Sequence, residues 1–161
     1  MCDAHGHCGS HRHAVSGASI KLLRYQIARQ GYGISFAFHD SPSFAHTVGL
    51  EETFRHPELI VSGLDYEMSQ RVLKDLIELI RNGTGLTGED HLQIVGSFAV
   101  RLEALPEPVA GSYLREAAEY YGDRPFRALQ VLWPDEEGRF PTEEICSEQL
   151  RLRQVVLSER G

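Results

Sequence analysis

A chain of 161 residues with 42% hydrophobic content has the size of one domain, and enough apolar side chains for a core that needs neither disulfides nor metal. Its formal charge of −7 argues against electrostatic binding to nucleic acid, which demands a basic excess. No window approaches the roughly 18 apolar residues of a membrane-spanning helix. Cysteines and histidines stand where a secretory signal would carry an apolar stretch, so a cytoplasmic location with no membrane partner is expected.

Residues 1–17 are polar and lack a hydrophobic period, and they read as a tail or metal-binding segment ahead of a single domain over 18–161. Four of the eight histidines and two of the three cysteines fall in the first thirteen residues: Cys2, His5, His7, Cys8, His11 and His13. Thiolates and imidazoles are the donors zinc selects, so a divalent metal, zinc, is the expected cofactor. The competing reading is a disordered tail that only scavenges metal. Cys2 and Cys8 are further apart than the paired cysteines of ordinary zinc knuckles, so His11, His13 or a group from the body such as Cys146 would complete a site. Removal of Met1 would also leave Cys2 as an N-terminal nucleophile with its own amine as base.

Ile20, Leu23 and Ile27 recur at helical spacing and predict a helix over 18–30, stopped at Gly31. Ile34, Phe36 and Phe38 alternate with smaller or polar residues, Asp40 to Ser43 supplies turn chemistry, and Phe44 to Leu50 resumes a strand, which together predict a hairpin. After His56-Pro57, the short apolar run 58–63 has the character of a buried central strand. Asp65 can cap a helix with Met68, Val72, Leu73, Leu76, Ile77 and Ile80 on one face, ending at Asn82-Gly83. Leu92, Ile94, Phe98, Val100 and Leu102 predict a long strand or bent pair with a bulge at Gly96. A third helix carries Tyr113, Leu114, Ala117, Ala118 and Tyr121 and stops at Gly122; Phe126 to Trp133 is another strand, and Leu150 to Leu157 a last edge strand or packed tail. The fold class expected is α+β, one mixed or antiparallel sheet covered by two or three helices.

Three phrases, Phe44-Ala45-His46-Thr47-Val48-Gly49-Leu50, His56-Pro57-Glu58-Leu59-Ile60-Val61-Ser62-Gly63-Leu64 and Leu129-Gln130-Val131-Leu132-Trp133-Pro134-Asp135 with Gly138, resemble the bacterial family called domain of unknown function 4262. In that family a YTVGL segment precedes a PELIV-GL segment, and a Q-WPD--G segment closes the domain; the resemblance spans roughly 20–157. Members often open with a short Met-Cys stretch bearing a second cysteine, which Cys2 and Cys8 resemble, and His46 stands where the family more often has tyrosine. The resemblance implies one domain and no particular activity.

Within these phrases His46, Thr47, Glu58, Trp133 and Asp135 fall at or near strand ends, where a rigid sheet usually presents its binding groups. At least three of the five are expected to line one concave ligand-binding surface, with the metal-binding tail at its rim. His46 and Glu58 are the candidates for a catalytic acid–base pair. The plainer alternatives are that His46 is a hydrogen-bonded core or rim residue, Glu58 bonds nearby backbone amides, Trp133 closes the core and Asp135 bonds its own turn. His56 before Pro57 and the pair Tyr120-Tyr121 read as a turn residue and as one core and one surface aromatic. No phosphate-binding glycine loop or nucleophile elbow occurs. The reading is a small metal-binding accessory or binding domain that recognises a small molecule or protein partner; the alternative is an enzyme, metal-assisted or using His46 and Glu58.

Overall fold

The structure is a computed structural model that describes residues 17–37, 42–89, 91–94 and 98–160. Helix α1 (Gly17–Gln30) is followed by the antiparallel hairpin β1 (Gly33–Ala37) and β2 (Phe44–Val48), a short helix α2 (Leu50–Phe54), strand β3 (Glu58–Ser62) and the long helix α3 (Tyr66–Arg81). A second hairpin, β4 (His91–Ile94) and β5 (Phe98–Ala104), leads through α4 (Glu107–Tyr113) and α5 (Arg115–Tyr121) to β6 (Ala128–Leu132), then α6 (Glu148–Arg153) and a closing 3-10 turn (Leu157–Arg160). The strands form one mixed sheet in the order β1-β2-β3-β6-β5-β4, in which only β3 and β6 are parallel neighbours. This is an α+β fold.

Both faces of the sheet are covered. Leu59, Val61, Val100, Leu102, Leu129 and Val131 pack against the α3 stripe of Val72, Leu73, Leu76, Ile77 and Ile80. Val48, Ile60 and Ala128 pack on the other face against Ile20 and Leu23 of α1, Val109 and Ala110 of α4, and Leu114, Ala117 and Tyr121 from the start and length of α5. Every residue of β3 and β6 is buried, because a central strand between two helical layers has no wet side. Asp65 accepts from the Met68 amide at 2.8 Å and starts α3 where the capping argument placed it.

Three expectations need correction. The strand from Phe44 stops at Val48, where Gly49 at φ 104° swings the chain into α2, a helix with a single buried residue and no cap from its own Gly49. The third helix is two, because Leu114 at φ −93°, ψ 64° leaves helical geometry between α4 and α5. Leu150 to Leu157 is no strand. Ser147 caps α6 through a 3.2 Å bond from the Leu150 amide, and the segment beyond is held by side chains rather than by a ladder. Buried Gln130 donates to the Val155 carbonyl at 2.5 Å and accepts from the Leu157 amide at 2.8 Å, so an amide side chain does the work of a neighbouring strand. The packed-tail alternative describes it. The bulge expected at Gly96, part of the first hairpin turn, and the tail up to Ser16 lie outside the described residues.

Candidate functional site

Polar side chains collect where β2 ends and β3 begins. Glu58 is completely buried, and its carboxylate is met by four donors. Oε2 accepts from the Thr47 hydroxyl at 2.6 Å, while Oε1 accepts from the Tyr121 hydroxyl at 2.5 Å and from the Gly49 and Glu51 amides at 2.9 and 3.3 Å. The Thr47 oxygen itself accepts from the Leu59 amide at 2.8 Å, so it stands in for a ladder carbonyl while its O–H donates to Glu58. Burial pushes the Glu58 carboxyl up, against the pull of these donors. Burial and the facing Glu58 charge push the Tyr121 phenol far up, which keeps it a donor. The two amides belong to the start of α2. Glu58 therefore serves as the cap that Gly49 cannot supply.

His46 is buried on the same face of the sheet, and neither of its ring nitrogens bonds Glu58. Its Nε2 lies 2.8 Å from Glu116 Oε2 and its Nδ1 3.0 Å from the Thr47 carbonyl. Both ring nitrogens are thus engaged, one by a carboxylate and one by a carbonyl, and neither is open to a substrate. Ser35, directly across the ladder from His46, also hydrogen-bonds Glu116. Burial alone would raise the Glu116 carboxyl, but the bond and charge of His46 outweigh it and hold the group below the ordinary carboxylate range. Helix α5 thus supplies a partner to each candidate, Glu116 to His46 and Tyr121 to Glu58.

His56 has a different job. Its Nε2 accepts from the Leu86 amide at 3.0 Å and its Nδ1 donates to the Pro57 carbonyl at 2.8 Å, which fixes a neutral ring joining the turn before β3 to the loop after α3. Burial holds this imidazole below its ordinary value. Between the unfolded value near ~6.5 and the lower folded one, the unfolded chain binds a proton that the folded chain refuses. The stabilisation is thus complete above about pH 6.5 and is lost as pH falls through the folded value. Melting temperature should fall more steeply with acidification below that point in the parent than in a His56→Gln variant; parallel pH profiles would show that the ring is not excluded from protonation.

Trp133 and Asp135 lie at the other end of the sheet. Strands β3 and β6 start together, with Glu58 opposite Ala128, and Trp133 follows β6 about 16 Å further along. Trp133 donates its indole N–H to the Ser62 carbonyl at 2.8 Å, and buried Gln154 pairs with both its backbone N–H and C=O at 2.8 Å each. Asp135 Oδ1 accepts from the Glu137 and Arg139 amides at 3.0 and 2.9 Å, and Oδ2 from the Ser147 amide at 3.3 Å. The Arg139 amide, with those of Ser147 and Glu137, holds its carboxyl below the ordinary range. These bonds are local to the turn and the core, and both residues also line a cavity of about 360 Å³ beside Ser147 and Arg153. The five residues expected on one concave surface are therefore divided: His46, Thr47 and Glu58 are buried at one end, and Trp133 and Asp135 bind their own surroundings at the other.

Cys2, His5, His7, Cys8, His11 and His13, and with them the expected place of the tail at a rim, lie outside the described residues. Among the described residues no group of three or more His, Cys, Asp or Glu is placed to hold a metal ion. Cys146 is a buried free thiol whose Sγ–H points to the Pro141 carbonyl at 3.8 Å. No helix among the described residues is long and apolar enough to cross a membrane. Sequence reasoning missed Glu116, Gln130 and Gln154, and placed Tyr121 only as a core aromatic. The signal for Tyr121 was indirect: a carboxylate inside an apolar strand needs donors, and a tyrosine on a buried helix stripe is one.

Residues 26–147 match a family described as Domain of unknown function (DUF4262). Nothing among curated proteins and nothing among solved structures matches the chain. The matched span holds the whole Glu58 and His46 networks and Asp135, and leaves out the N-terminal Cys/His segment.

Proposed function

The chain belongs to the DUF4262 family, and on that premise we propose that it is a small cytoplasmic bacterial binding domain, which holds zinc through its N-terminal Cys/His segment and recognises a small molecule or protein partner. One observation supports binding over chemistry: each candidate acid–base group is spent on an internal partner, Glu58 on four donors and His46 on Glu116 and a backbone carbonyl. A general acid or base needs a free position within reach of substrate, and a carboxylate that is fully buried has none. The metal reading rests on ligand chemistry, six Cys and His donors among the first thirteen residues.

Protein purified without chelator or affinity metal should carry about one zinc per chain by elemental analysis, with less on acidification, because thiolates and neutral imidazoles are the ligands. A Cys2→Ala, Cys8→Ala double variant should lose it. Deleting residues 1–16 should abolish zinc binding and keep a cooperative unfolding transition, since the core clusters of the described residues are built from Ile20 onward. Zinc content near zero, or unchanged in the double variant, overturns the metal assignment.

A further inference from the structure

The buried carboxylate of Glu58 braces a surface groove. Glu51, Leu105, Glu107, Pro125, Phe126 and Arg127 line a cavity of about 340 Å³ at this end of the sheet, at the small end of the range of ligand pockets. Three of these residues are tied to Glu58. The Glu51 amide donates to its carboxylate, its own amide donates to the Arg127 carbonyl at 2.8 Å, and Phe126 stacks at 5.2 Å between centroids on Tyr121, whose hydroxyl it accepts. Arg127 completes the frame by a two-nitrogen grip on the Glu51 carboxylate, at 3.1 and 2.8 Å. Backbone bonds, a ring stack and a forked ion pair thus hold the lining before any ligand arrives. Such preorganisation is what a binding site requires of its supporting shell.

The charges in the groove are unequal. Arg127 is neutralised by Glu51, whereas the side chain of Glu107 is exposed at the start of α4 and makes no hydrogen bond or ion pair among the described residues. One uncompensated carboxylate therefore stands beside Leu105, Pro125 and Phe126, on a chain of net charge −7. An anion would meet a filled guanidinium and a free carboxylate. A cation with an apolar body meets its complement at both ends, aromatic and aliphatic surface for the body and Glu107 for the charge.

We propose that this groove binds a small amphipathic cation, a primary ammonium carried on an aromatic or aliphatic body. The proposal deepens the binding-domain reading and rests on it, but it does not use the metal. Phenethylammonium is a suitable probe, with phenethyl alcohol and phenylacetate as its neutral and anionic counterparts. In amide NMR spectra of the full chain, phenethylammonium should give saturable shifts at Glu51, Leu105, Glu107, Phe126 and Arg127, the alcohol weaker ones and phenylacetate none. Glu107→Gln should weaken the cation's affinity about three- to fivefold, as an exposed ion pair allows, and Glu107→Lys by about tenfold. Neither change touches a packed residue, so the fold remains as its own control. No saturable shifts in the groove, equal binding of cation and anion, or an unchanged affinity in Glu107→Lys would overturn the proposal. Zinc content in the same samples separates the two claims: loss of zinc with probe binding intact removes only the metal reading, and zinc bound without probe binding removes only the groove.

Discussion

Replacing Glu58 by alanine should cost about 3–5 kcal/mol of folding stability, the scale for breaking a buried polar network. The loss comes less from the carboxylate than from what it leaves behind. The Gly49 amide and the Thr47 and Tyr121 hydroxyls would be stranded away from water, the half-buried Glu51 amide would lose its acceptor, and each orphaned donor costs roughly 1–3 kcal/mol when no water replaces the acceptor. A cavity in the core adds to this. Substitutions that keep the shape grade the effect. Glu58→Gln retains one acceptor oxygen but turns an N–H₂ toward a partner that was donating, at about 1–2 kcal/mol. Tyr121→Phe removes one donor to Glu58 and the 3.3 Å acceptor of the Glu52 amide, an exposed residue whose N–H water can meet, at about 1 kcal/mol. Urea unfolding should rank the three variants in that order. If the alanine variant does not fold at all, the two milder changes still test the network. A Glu58→Ala protein within about 1 kcal/mol of the parent would mean that water fills the site and the carboxylate is not the keystone of this end of the sheet.

The elements read correctly from the sequence are those whose signals are local. The α3 stripe and its Asp65 cap lie within one segment, and the run from Glu58 to Ser62, apolar at Leu59 to Val61, is buried on both faces because helices cover both. Helix α2 could not be read that way. Its first amides are capped by a carboxylate seven to nine residues ahead in the chain, on a neighbouring strand, so nothing at Gly49 announces a helix. The C-terminal segment was ambiguous for a related reason. Leu150 to Leu157 suits an edge strand as well as a packed tail, and what decides for the tail is that Gln130 and Gln154 satisfy the backbone there with side-chain amides, a pairing that exists only once residues far apart in sequence meet. For the candidate site, the oddity of a glutamate in a buried strand was visible, and so was the alternative that it bonds backbone amides. Its side-chain partners, the hydroxyls of Thr47 and Tyr121, were not, because periodicity marks a residue as core without saying what its hydroxyl meets.

Gly63→Ala should be the most damaging of the single-methyl additions, by about 3 kcal/mol or more, while Gly83→Ala should cost only about 1 kcal/mol. Both glycines sit at positive φ, 80° and 95°, so both substitutions pay the backbone strain of the left-handed region. Their surroundings differ. A methyl on Gly83 meets nothing within 4 Å, whereas one on Gly63 would stand 2.2 Å from the Arg153 carbonyl oxygen and 2.8 Å from its carbon. Backbone cannot yield as a side-chain tip can, so the end of α6 must move. That end is fixed by the neighbouring Gln154, whose amide pairs with the Trp133 backbone, and by Arg153, which donates to the Gly63 carbonyl at 3.2 Å and lies over the Trp133 ring. Displacing it therefore opens the cover of Trp133, the chain's one tryptophan. The expected result in Gly63→Ala is a lower urea midpoint together with a red-shifted tryptophan emission, and in Gly83→Ala a small loss of stability with emission unchanged. Equal losses in the two variants, or a buried Trp133 spectrum in a destabilised Gly63→Ala, would show that strain at φ 80° acts alone and that the close approach of α6 to the end of β3 is not what requires glycine.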